Sequence, residues 1–140
     1  MGYFEERAQK NAAPVTEEFQ KAFESNMPDV ISIEDLFKLT SGDLDLARSL
    51  LDLFKGQAQK CLTDYNQSQT NIDKIHAVHA LKGAARCIAA HKLSEVAGDI
   101  EDTVRAGTAL ADGQVQEFME LTKSVMNYIT LIEARNLKIG

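Results

Sequence analysis

Residues 75–86 read Ile75-His76-Ala77-Val78-His79-Ala80-Leu81-Lys82-Gly83-Ala84-Ala85-Arg86. The stretch contains no proline and is rich in alanine, so helix is its natural conformation. Each residue then advances ~100° around the axis. With His79 at zero, His76, Lys82, Gly83 and Arg86 fall within ~60° of it, whereas Ala77, Leu81, Ala84 and Ile88 lie ~140–200° away. An apolar side must face a core, so His79 is expected to point at solvent. Beside it stand a cation one turn on at Lys82, a gap at Gly83 and a second cation two turns on at Arg86. An exposed imidazole on a rigid support, with room for a bulky anion, suits a nucleophile.

Working outward, the periodicity predicts further helices. Thr16 can cap a short one with Phe19, Ala22 and Phe23 on its apolar edge and Pro28 closing it. Ser32-Ile33-Glu34-Asp35 resembles a capping box, with Asp in the place of Glu, and starts a helix to about Thr40. Asp43 caps a long helix over 43–66, in which Ala47, Leu50, Leu51, Phe54, Ala58, Cys61, Leu62 and Tyr65 recur at i, i+3, i+4, i+7. Thr70 or Asn71 opens the helix of His79, predicted to run to about Ala90 with Ala77, Ala80, Ala84 and Ala85 inward. After a break at His91 and Lys92, Leu93, Val96, Ala97, Ile100 and Val104 mark a helix over 92–106. Val115, Phe118, Met119, Val125, Met126, Ile129 and Ile132 mark a last one over 114–135.

Four long helices with short connections predict an all-α fold: an antiparallel up-down-up-down four-helix bundle, preceded by a short helix and an N-terminal arm. The expected division is an arm with a possible extra helix over 1–30 and the bundle domain over 31–140. With 2 Pro and 8 Gly in 140 residues, a turn-rich β fold is disfavoured. The net charge of −6 argues against nucleic acid as partner. No apolar run approaches the ~20 residues of a membrane span, and Glu5 and Glu6 do not suit a signal peptide. A cytoplasmic protein without a membrane partner is therefore expected. Cys61 and Cys87 are expected to be buried thiols.

The run His79-Ala80-Leu81-Lys82-Gly83, followed by the small Ala84 and Ala85, resembles the phosphorylation motif of histidine phosphotransfer (HPt) domains, the helical phosphate carriers of multistep two-component phosphorelays. Leu93 matches a further aliphatic position of that family. Ala89 departs from it, standing where members often have glycine. The resemblance spans roughly residues 31–135. It implies a phosphoryl group accepted on Nε2 of His79 from a receiver-domain aspartate and passed to another receiver. Lys82 would stabilise the phosphoryl group and Gly83 would give access. The receiver would supply Mg²⁺, so no cofactor of this chain's own is expected. No nucleotide-binding glycine loop occurs, which makes the protein a phosphocarrier without a kinase site, either freestanding or part of a hybrid sensor kinase. One bundle of this length is self-sufficient, so a monomer is expected.

Ile72 and Ile75 share the His79 face. They are expected to be exposed and, with His76 and Arg86, to form a docking patch for receivers. Two other classes compete with this reading. One is a helical bundle that binds and regulates a receiver without carrying phosphate. The other is an enzyme or metal protein using His76 and His79 at i, i+3, for which third and fourth ligands are missing from the helix.

Overall fold

Among the residues that the computed structural model describes, 14–27 and 30–139 with side chains through Arg135, six helices follow one another and no strand occurs. They are α1 (Glu17–Phe23), α2 (Ile33–Thr40), α3 (Leu44–Gln67), α4 (Asn71–Cys87), α5 (His91–Arg105) and α6 (Asp112–Ile139). Their starts follow from the capping residues. Thr16, Ser32, Asp43 and Thr70 each accept a hydrogen bond from the backbone N–H three residues on, at 3.0–3.2 Å, and so satisfy one of the free donors of a first turn. The capping box at Ser32 is only half made. The Asp35 carboxylate accepts instead from His91 Nε2 at 2.6 Å, and the Ser32 N–H donates to the Ala89 carbonyl at 3.0 Å.

The long helices α3 to α6 form the bundle. Each packs on the next and α6 closes back on α3, which the short connections 68–70, 88–90 and 106–111 permit only in an antiparallel arrangement. Phe54, Leu81, Ile88, Leu93, Ile100, Phe118, Ile129 and Ile132 fill the interior, each at most 1% exposed. Burying a side chain of this kind stabilises the fold by about 1.5–3 kcal/mol. None of the six helices is long and apolar enough to cross a membrane.

The first helix docks on this bundle. Phe19 and Phe23 are fully buried, and Phe19 meets Phe37 of α2 edge-on at 5.0 Å. The carbonyls at the end of α1 find partners on α6. Tyr128 donates its hydroxyl to Phe23, and Arg135 donates to Ala22 at 3.1 Å and to Glu24 at 2.6 Å. Helix α1 ends at Phe23 with Glu24 extended; Pro28, expected to close it, lies outside the described residues, as does most of the arm.

Helix α4 stops at Cys87, three residues before the predicted end, because Ala89 adopts a left-handed backbone with φ +59°. This turn directs the Ala90 N–H back to the Ala85 carbonyl at 2.9 Å, which satisfies an orphan carbonyl of the helix end. Glycine takes that conformation freely and alanine does so at a cost of about 1–2 kcal/mol. The Ala89 methyl is fully buried, and that burial, about 0.8 kcal/mol, offsets much of the strain. The motif's usual glycine is thus replaced at a position whose backbone still has the glycine-favouring geometry.

Candidate functional site

Helix α4 turns its buried side, Ala77, Val78, Leu81, Ala84, Ala85, toward the bundle. Val78 and Ala85 lie ~100–120° to one side of His79 on the wheel. The exposed arc is therefore rotated by ~50° from the arc centred on His79, and His79 stands at its edge, with α5 covering the near flank. Three expectations are corrected by this rotation. Ala80, expected inward, is exposed. Ile75, expected exposed, is half-buried against the core. Lys82, expected on a solvated face, keeps only 18% of its side chain exposed. Ile72, at 64% exposure, does face solvent, together with His76, Gly83 and Arg86. Cys61 is buried, and burial pushes its thiol pKa up. Cys87 is exposed, contrary to expectation, because α4 ends there and its side chain falls on the open arc.

The imidazole of His79 is 63% exposed, and only one of its nitrogens is engaged. Nδ1 lies 3.0 Å and 3.2 Å from the two oxygens of Glu101 on α5. An ionised carboxylate can only accept, so Nδ1 is the donor to Glu101, and Nε2 points away from it, where the neutral ring presents its lone pair. Glu101 is 5% exposed at its side chain, and its oxygens are fully used. Lys82 Nζ donates to Oε1 at 2.8 Å. Arg105 donates to Oε2 from Nε at 3.0 Å and from a terminal nitrogen at 2.8 Å. Burial alone would raise the carboxyl pKa, but the hydrogen bonds from Lys82, Arg105 and His79 outweigh it and hold it at about 2. Glu101 is therefore charged throughout the range in which proteins work.

The lowered pKa makes a stability prediction. The carboxyl titrates at about 2 in the fold against its ordinary 4.5, so its contribution is fully present above pH 4.5 and is lost as pH falls from there toward 2. Urea unfolding of the wild type should weaken across that window, and Glu101→Gln should flatten the dependence. Equal slopes for the two proteins would show that the carboxyl titrates alike folded and unfolded.

The sequence reading missed Glu101 and Arg105. A signal was present: Glu101 stands four residues after Ala97 and three before Val104, inside the apolar stripe of α5. A charged residue there must be paired if it is buried. Gly83 has open space around it; a methyl built on it would meet nothing within 4 Å. Packing within the described residues does not require a glycine at that position, which costs the helix about 1 kcal/mol relative to alanine. Among the described residues no group of three or more His, Cys, Asp or Glu side chains is placed to hold a metal ion.

A scan against protein-family models matches residues 19–134 to the Hpt domain. The match begins inside α1, upstream of the stretch on which the motif resemblance was read. Searches of curated proteins and of solved structures returned no match. Because the family match covers well over half of the chain, the protein belongs to the Hpt family, histidine-containing phosphotransfer domains that shuttle phosphate between receiver-domain aspartates in two-component phosphorelays and have no kinase site of their own.

Proposed function

We propose that His79 is the residue that carries the phosphoryl group. The observation that supports this most is the bond from Nδ1 to the buried Glu101 carboxylate, which orients the ring and leaves Nε2 unengaged for attack. The Nε2 lone pair attacks the phosphorus of a receiver's aspartyl phosphate. The N–P bond forms, the P–O bond to the aspartate breaks, and the aspartate leaves as a carboxylate. Nδ1 retains its proton, so the ring becomes cationic, and Glu101 faces that charge at 3.0 Å. The reverse sequence delivers the group to a second receiver. Lys82, one turn from His79, is the cation for the phosphoryl oxygens, and Gly83 leaves the approach open.

The test is transfer from a radiolabelled phospho-receiver, followed by mapping of the acid-labile label. Label on His79 supports the assignment. Label on another residue, or a receiver that binds without transferring, would remove it and favour a purely regulatory bundle.

Receivers dock, in this reading, on the open arc of α4 that carries Ile72, His76 and Arg86, with half-buried Ile75 at its margin. The bundle domain over 31–140 carries the site, with α1 packed on it. The protein acts as a cytoplasmic monomer, in keeping with a partner that is itself a soluble domain. Ile72→Glu is the sharper probe of the docking face, since Ile72 is exposed and its loss leaves the core intact. It should weaken receiver affinity and receiver-dependent transfer by about tenfold, because a buried unpaired carboxylate replaces an apolar contact. Labelling by phosphoramidate, which needs no docking surface, should be unchanged. Wild-type affinity for the receiver would move the docking face elsewhere.

A further inference from the structure

Lys82 has two demands on it. It is the cation nearest His79 along the helix, yet its Nζ is already bound to Glu101 Oε1 at 2.8 Å. Glu101 cannot simply be deserted. Its side chain is 5% exposed, and a carboxylate left in such a place without a cation is strongly unfavourable. Were Lys82 its only counter-ion, a phosphoryl group on His79 and the carboxylate beneath it would compete for one ammonium.

Arg105 removes the conflict. It is the last residue of α5, one turn beyond Glu101, and it places two donors on Oε2, the oxygen that Lys82 does not use. We propose that Arg105 is a positioning residue that keeps Glu101 paired and thereby frees Lys82 to turn to the phosphoryl group on His79. The inference rests on His79 being the carrier. The two cations suit this division. The guanidinium is a planar fork, held by two bonds to one acceptor, whereas the ammonium is a point charge on a flexible four-carbon stem. The Lys82 Cδ lies against Gly98 of α5, where a methyl would sit in ordinary van der Waals contact at 3.5 Å, so the stem runs along the α5 backbone with its flexible end nearest His79. Charge is also balanced in the loaded state. Glu101 contributes one negative charge and the phosphoryl group close to two, against Lys82, Arg105 and the cationic ring. Without Arg105 one positive charge is missing.

The test uses the full chain loaded with phosphoramidate, so that receiver docking plays no part. The readouts are the lifetime of the phosphorylated form and, with a receiver added, the equilibrium share of phosphate on His79. Arg105→Gln should fold as the wild type, since Lys82 still pairs Glu101, but should lower both readouts on the order of tenfold, the worth of one charge-assisted bond. Arg105→Lys should restore part of the loss. The decisive comparison is made in Glu101→Gln, where no buried charge holds Lys82. There Arg105→Gln should have no further effect. An undiminished effect in that background would mean that Arg105 acts directly on the phosphate, and wild-type behaviour of Arg105→Gln alone would mean that it does nothing to the loaded state; either overturns the proposal while leaving His79 as the carrier. Label that maps away from His79 overturns both.

Discussion

Replacing His79 by glutamine should abolish phosphate uptake, both from a phosphorylated receiver and from phosphoramidate, while the helical circular dichroism and the unfolding midpoint stay close to wild type. The ring is largely exposed, so its removal opens no cavity, and surface substitutions of this kind change stability by about 0.5 kcal/mol or less. The amide of glutamine has no nucleophilic nitrogen, so the loss should be complete and not merely kinetic. Glu101 keeps two cations in the variant and remains paired. His76→Gln is the matching control. It alters the other exposed histidine of the same face and should leave labelling by phosphoramidate intact. A His79→Gln protein that still takes up acid-labile label would end the assignment.

The second large effect is expected at Glu101. Glu101→Ala should slow phosphoryl transfer by about 10–100-fold, the range that follows loss of the hydrogen-bonding partner that orients a metal-bound imidazole. Two losses combine. The ring no longer has its tautomer fixed, so part of the population carries the proton on Nε2 and cannot attack. The positive charge that develops on the ring also loses the carboxylate facing it. Lys82 and Arg105 remain, and both can extend to water along their apolar stems, so the bundle should stay folded. Nitrogen NMR of the His79 ring gives the independent readout: protonated Nδ1 and bare Nε2 in the wild type, a mixture in the variant. A variant that transfers at the wild-type rate would reduce Glu101 to a structural anchor for α4 and α5.

Glu101 also marks the limit of what could be read in advance. The helices, their caps and the outward-facing histidine are local properties. Thr16, Ser32, Asp43 and Thr70 bond to amides only three residues away, and the apolar spacing of each helix marks the centre of its buried side, though not how far that side extends to either flank. For that reason the all-α bundle, the bounds of α3 within a residue and the exposure of His79 and Ile72 were all legible in the sequence. The Ala89 turn was legible only as a departure from a motif; its positive φ and the early end of α4 belong to the folded chain.

What the sequence by itself determined is thus the set of helices, an approximate buried side for each, and a nucleophile with a cation and a gap beside it on one of them. What only the tertiary structure decided is the partner set of that nucleophile. The pattern of α4 gives angles about its own axis but not which flank α5 covers. Covering the flank that bears Val78, Ile75 and Lys82 turned the exposed arc by ~50°, half-buried Ile75, and drew Lys82 out of solvent. It also brought Glu101 and Arg105, 22 and 26 residues from His79 in the chain, onto the imidazole and its neighbour. Charged residues so far apart in sequence meet only when two helices pack, and the packing is driven by apolar area, to which the charges contribute nothing.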